Sequence, residues 1–147
     1  MKLDDEKIFD PIRNAFVSRT PEEVVRQKLI FNMLKNLSFP KNLIAVEKDI
    51  FSLPHLKNKS IDTKRRADII AFGKNDNGLF PLLLIECKAV KLNKNVIDQV
   101  IGYNYYVKAA FVSIANEYEI KTFFMTDKKI ETIDFLPTYK DLMKAIK

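Results

Sequence analysis

The sequence predicts an α/β (α+β) domain in which helices flank a mixed β-sheet. Three observations carry this. Residues 20–37 repeat apolar side chains at helical spacing behind a capping signal. Six β-branched or apolar runs, at 42–50, 66–73, 79–90, 110–116, 120–127 and 129–135, are divided by polar and turn residues. A second helical pattern, at 95–110, falls between the third and fourth runs. Helices interleaved with strands require layers, a sheet with helices packed on it.

Each element has a local reason. "KIFDPIRNAFVS" places β-formers around a proline and predicts a short extended segment or hairpin. In "TPEEVVRQKLIFNMLKNL", Thr20 is an N-cap, Pro21 suits the first helical position and Glu23 completes a capping box. Val25, Leu29, Ile30, Met33, Leu34 and Leu37 form its apolar stripe. The strands "NLIAVEKDI" and "RADIIAFG" are separated by a polar loop. "KNDNG" is turn chemistry leading into "LFPLLLIECKAV". The second helix shows Val96, Val100, Tyr103 and Val107 on one face. Three further strands and a short basic helix, "YKDLMKAIK", complete the chain.

The 147 residues suit one domain, 1–147, with no internal repeat or low-complexity linker. Apolar residues make up 47% and charged ones 30%, a globular composition rather than a disordered one. The net charge of +6 favours a polyanionic partner, nucleic acid first. A single cysteine excludes a disulfide framework and a cysteine-based zinc site, and fits a reducing cytoplasm. No secretory leader is expected from the acidic "MKLDDEKIFD", and no apolar run approaches a membrane span. Three glycines, Gly73, Gly78 and Gly102, cannot assemble a phosphate-cradling loop.

The most apolar run, "LLLIECKAV", carries Glu86 and Lys88 two residues apart, hence on one strand face, with Cys87 on the other. A hairpin centred near Asn77 pairs residues whose numbers sum to 154, so Phe72 meets Leu82, Ile70 meets Leu84 and Asp68 meets Glu86. Opposed Cβ atoms lie about 5 Å apart, and two carboxylates that close repel unless a cation lies between them. Asp68, Glu86 and Lys88 therefore suit a hard-cation site for phosphodiester cleavage. The stripe of the first helix centres near Arg26, which puts Glu22, Glu23 and Arg26 toward the inside. Glu23 reads equally as a capping-box residue, and Glu22 with Arg26 as a surface ion pair. Gln99 and Tyr103 share a face of the second helix.

"RAD", "IECK" and "QVIGY", in this order and strand context, resemble the PD-(D/E)xK nuclease superfamily with its QxxxY extension. With "FDPIRNAFVSRTPEEVVRQKLI" and "LIAVEKDI", the chain from Ile8 to Pro137 resembles N-terminal domains of type I restriction enzyme R proteins. The resemblance implies a restriction-endonuclease-like core and a metal-dependent nuclease acting on DNA. Mg²⁺, with Mn²⁺ as a substitute, would be held by Asp68, Glu86 and the main-chain carbonyl of Cys87. Lys88 would orient or activate water, Gln99 and Tyr103 would support the site, and Glu22 or Glu23 would be the first-helix acid. Ala67 stands where the superfamily name has proline. The sequence stops where a restriction subunit continues into helicase motors, so translocation is expected to need another polypeptide.

Partners expected are DNA, with RNA open, a second copy of the chain, and a separate helicase or methyltransferase subunit. Lys64, Arg65 and Arg66 precede Asp68 and suit DNA-backbone contacts or a solvated loop equally, and Arg26 of the first helix is a further candidate for such contacts. Glu47 reads as a carboxylate supporting the site or as an ordinary strand-edge residue. His55 has no assigned role, and the Cys87 thiol suits the core. The rival reading is a nucleic-acid-binding or assembly module that keeps the fold without cutting.

Overall fold

The computed structural model describes residues 6–49, 52–56 and 66–146. Strands β1 (Lys7–Asp10) and β2 (Ala15–Ser18) form a separate antiparallel hairpin. Asp10 closes its turn, with one carboxylate oxygen accepting from the N–H groups of Ile12 at 2.7 Å and Arg13 at 3.2 Å.

Helix α1 (Pro21–Lys35) starts as the sequence predicts, with the Thr20 hydroxyl accepting from the Glu23 N–H at 3.1 Å. Only this half of the capping box forms. The Thr20 N–H donates to the Ser18 carbonyl instead, and the Glu23 carboxylate is engaged elsewhere. Val25, Ile30 and Met33 bury the apolar stripe, and so do Glu23, Arg26 and Gln27.

The main sheet has six strands in chain order. They are β3 (Ile44–Asp49), β4 (Arg66–Asn75), β5 (Gly78–Cys87), β6 (Phe111–Ala115), β7 (Ile120–Met125) and β8 (Ile130–Ile133). Among the described residues only β5 and β6 run parallel, because helix α2 (Lys94–Val107) carries the chain across between them. Left-handed backbone at Lys108 ends α2, so Ala109 and Ala110 fall outside the helix predicted to include them.

Strand alternation assigns the faces. Ile69, Ala71, Leu83, Ile85 and Cys87 bury against α1 together with Leu142 of helix α3 (Tyr139–Ala145). Ile70 and Leu84 bury against Tyr103 and Val107 of α2. Helices therefore cover both faces, as the mixed-sheet prediction requires. Among the described residues, no helix is long and apolar enough to cross a membrane.

The β4–β5 hairpin corrects one predicted pairing. Its two-residue turn, Asp76 and Asn77, pairs Asn75 with Gly78 and Phe72 with Pro81, not Leu82. A bulge between Ala71 and Phe72 then shifts the register, and Ile70 meets Leu84 as expected. Pro81 brings no N–H to the ladder, which makes its surroundings a natural place for the irregularity. Beyond the bulge the strands carry the predicted register toward Asp68 and Glu86.

Candidate active site

Asp68 and Glu86 come together at the end of the β4–β5 pair. Ile69 pairs with Ile85, and the next step brings the two acids opposite each other. Each carboxylate takes a backbone donor from the other strand. The Asp68 N–H donates to Glu86 Oε2 at 3.1 Å, and the Cys87 N–H donates to Asp68 Oδ2 at 2.7 Å. Those bonds offset part of the repulsion between two acids at one strand end. Burial raises the Asp68 carboxyl above its ordinary value, and the charges of Glu47 and Glu22 push it further. The Cys87 N–H and Arg26 work against them.

The basic partner arrives from the first helix. Arg26, 6% exposed, donates through Nη2 to Glu23 Oε1 and Glu47 Oε1, both at 3.0 Å. Its Nη1 donates to the Asp68 main-chain oxygen at 3.3 Å and lies 3.7 Å from Asp68 Oδ1. The second oxygen of Glu23 accepts from Arg13 at 2.8 Å and from Gln27 at 2.9 Å, and Arg13 in turn pairs with buried Asp10. Charges of alternating sign thus run Asp10, Arg13, Glu23, Arg26, Asp68, from the N-terminal hairpin into the sheet. Burial opposes the charge on Glu23, but bonds from Gln27 and Arg13 and the charges of Arg26 and Arg13 outweigh it, holding its carboxyl below the ordinary value. Arg26 is likewise disfavoured by burial, yet Asp68, Glu23 and Glu47 raise its pKa.

The remaining candidates separate by position. Glu22 is exposed, but near enough to act on Asp68. Glu23 is buried in the ion-pair chain. Arg26, expected either in a surface pair with Glu22 or on a DNA backbone, is turned inward because three carboxylates of the fold surround it. Lys88 is half-buried, and its N–H donates to the Ala115 carbonyl at 2.8 Å. That bond continues the β5–β6 ladder one residue past the end of β5. The ion pairs around Asp68 nevertheless run through Arg26 and not through Lys88. Tyr103 is buried against Ile70 and Leu84, one pleat behind the acids, with Gln99 exposed one helical turn earlier. Arg66 is exposed and donates to the Glu47 carbonyl at 3.0 Å. Lys64 and Arg65 lie outside the described residues. The Cys87 thiol is buried on the opposite face, where burial pushes its pKa well above the ordinary value.

Sequence reasoning missed Asp10 and Arg13. Their i,i+3 spacing across Pro11 signals a local Asx-turn pair, but nothing local signals that Arg13 reaches Glu23. Among the described residues, no three His, Cys, Asp or Glu side chains converge to hold an ion by themselves. A cation at Asp68 and Glu86 would need main-chain oxygen, water or substrate to complete its shell, which is how Mg²⁺ is ordinarily bound.

Fold and site together define an α+β protein with a mixed sheet, two carboxylates at a central strand end and a buried arginine from the first helix beside them. The family model for the type I restriction enzyme R protein N terminus matches residues 21–137. The chain belongs to that family, and its role is tied to restriction enzymes. No curated protein and no solved structure matches it.

Proposed function

We propose that the chain is a metal-dependent nuclease of the PD-(D/E)xK type, hydrolysing phosphodiester bonds of DNA. The observation that carries this is the pairing of half-buried Asp68 with buried Glu86 at the strand end, each steadied by a backbone N–H from the opposite strand. Burial at that strand end disfavours the charged form of Asp68, and catalysis gives a reason to keep it there beside a second acid.

The donor set fits Mg²⁺: two carboxylates and the Cys87 main-chain carbonyl are hard oxygen ligands, and the buried thiol faces away. When bound, the metal would lower the pKa of a coordinated water and offset charge on the phosphate. Asp68 keeps Oδ2 on the Cys87 N–H, which fixes the carboxylate plane and presents Oδ1. Glu86, anchored through Oε2, is presented alongside. Lys88, on the same face, supplies an ammonium to orient the attacking water or meet the phosphate. Tyr103 would back the site through its packing, and exposed Gln99 and Arg66 would contact the DNA backbone.

The test is a cleavage assay with Mg²⁺ or Mn²⁺ on single-stranded, duplex and branched DNA, with RNA as a further substrate. Wild type is expected to cut, and Asp68→Ala and Lys88→Ala to lose at least about a hundredfold of the rate. Binding without cleavage by every variant would make the chain a binding module instead.

A further inference from the structure

The backbone at Glu47 is out of keeping with its surroundings. Among the described non-glycine residues, Asn14, Ser38, Glu47 and Lys108 have positive φ. The other three sit in a turn, a loop and a helix end, whereas Glu47, with φ of 56°, lies inside β3. A glutamate in the left-handed region costs about 1–3 kcal/mol and persists where surrounding contacts hold it. The flanking pairs, Val46 with Ile69 and Lys48 with Ala67, put Glu47 opposite Asp68.

Two arginines hold the distorted residue. Arg66 donates to its carbonyl and Arg26 to its carboxylate, both at 3.0 Å. The consequence falls on Arg26. Its Nη2 serves Glu47 and Glu23 at hydrogen-bond distance, while Nη1 remains 3.7 Å from Asp68 Oδ1, too far for a hydrogen bond. Its Nε is buried with no partner among the described residues. A guanidinium beside a carboxylate ordinarily forms a bidentate fork that occupies both oxygens. Here the fork is not made: Glu47 and Glu23 claim Nη2, and Nη1 donates to the Asp68 main-chain oxygen at 3.3 Å.

We propose that Glu47 is a positioning residue: it draws the Arg26 guanidinium off the Asp68 carboxylate and leaves that carboxylate open to a divalent cation. The inference rests on the metal reading above. Without the negative charge at 47, Arg26 closes on Asp68 and competes with the metal for the same oxygen.

The test is Mn²⁺ binding to the full chain without DNA, read by electron paramagnetic resonance, for wild type, Glu47→Gln, Arg26→Gln and the double variant. Glu47→Gln, at a side chain 38% exposed, is expected to fold and to bind Mn²⁺ about tenfold more weakly. In the Arg26→Gln background the same change should have no effect. Should Arg26→Gln fail to fold, a crystal structure of Glu47→Gln decides, with Arg26 expected to be hydrogen-bonded to the Asp68 carboxylate. Unchanged Mn²⁺ affinity in Glu47→Gln, or an unmoved guanidinium, overturns the proposal. Equal losses in both backgrounds also overturn it, by making Glu47 a ligand in its own right. A wild type that binds no Mn²⁺ removes the metal reading itself, a different failure from the others.

Discussion

Glu23→Gln tests the ion-pair chain at its middle link. The carboxylate is almost wholly buried and accepts from Arg13, Arg26 and Gln27. Breaking a buried pair by removing one partner costs about 3–5 kcal/mol, since the other charge is left without compensation. Neither arginine would be left alone here, because Arg13 retains Asp10, and Arg26 retains Glu47 and Asp68. The low end, about 3 kcal/mol, is therefore expected, or a melting midpoint about 10 °C lower at pH 7. The loss should also depend on pH. Folding holds the Glu23 carboxyl below its ordinary value of 4.5, so as pH falls the unfolded chain takes up the proton first. The stabilisation is fully present above pH 4.5 and is lost as pH falls through the folded value. Urea denaturation of both proteins from pH 7 to pH 3 measures this. A difference under about 0.5 kcal/mol at pH 7, or one that stays constant into acid, would refute the reasoning.

Other outcomes follow from single features. Thr20→Ala removes the cap of α1 and should cost about 1 kcal/mol, a midpoint shift of roughly 3 °C by calorimetry. Ile30→Ala opens a cavity at a fully buried position facing the sheet and should cost about 2–5 kcal/mol by urea denaturation. Asp68→Asn retains an acceptor for the Cys87 N–H and removes a half-buried charge whose pKa is raised. Its midpoint should stay within about 2 °C of wild type while calorimetric Mn²⁺ binding disappears, which separates a role in binding from one in stability.

Much of the fold was legible because it is locally encoded. Thr20 and Pro21 mark the start of α1, the Asp76–Asn77 turn sets the hairpin, and alternation along the strand sends Cys87 into the core with Leu83 and Ile85. Even the hairpin register survived a misjudged turn centre, because the bulge at Ala71 and Phe72 offsets the shift before the acids are reached. The inward turn of Arg26 was foreshadowed by its place at the centre of the apolar stripe. What it meets there was not. Arg13, Glu47 and Asp68 lie far apart along the chain, and only tertiary packing sets their distances. The left-handed backbone at Glu47 is invisible for the same reason, since "AVEKD" contains no glycine or asparagine to mark a positive φ.

The most direct measurement is anomalous diffraction from a crystal soaked in Mn²⁺. A peak bonded to both Asp68 and Glu86, with the Cys87 carbonyl in its shell, is the predicted result. An empty strand end at a concentration that supports cleavage, or a peak elsewhere on the chain, would contradict the account.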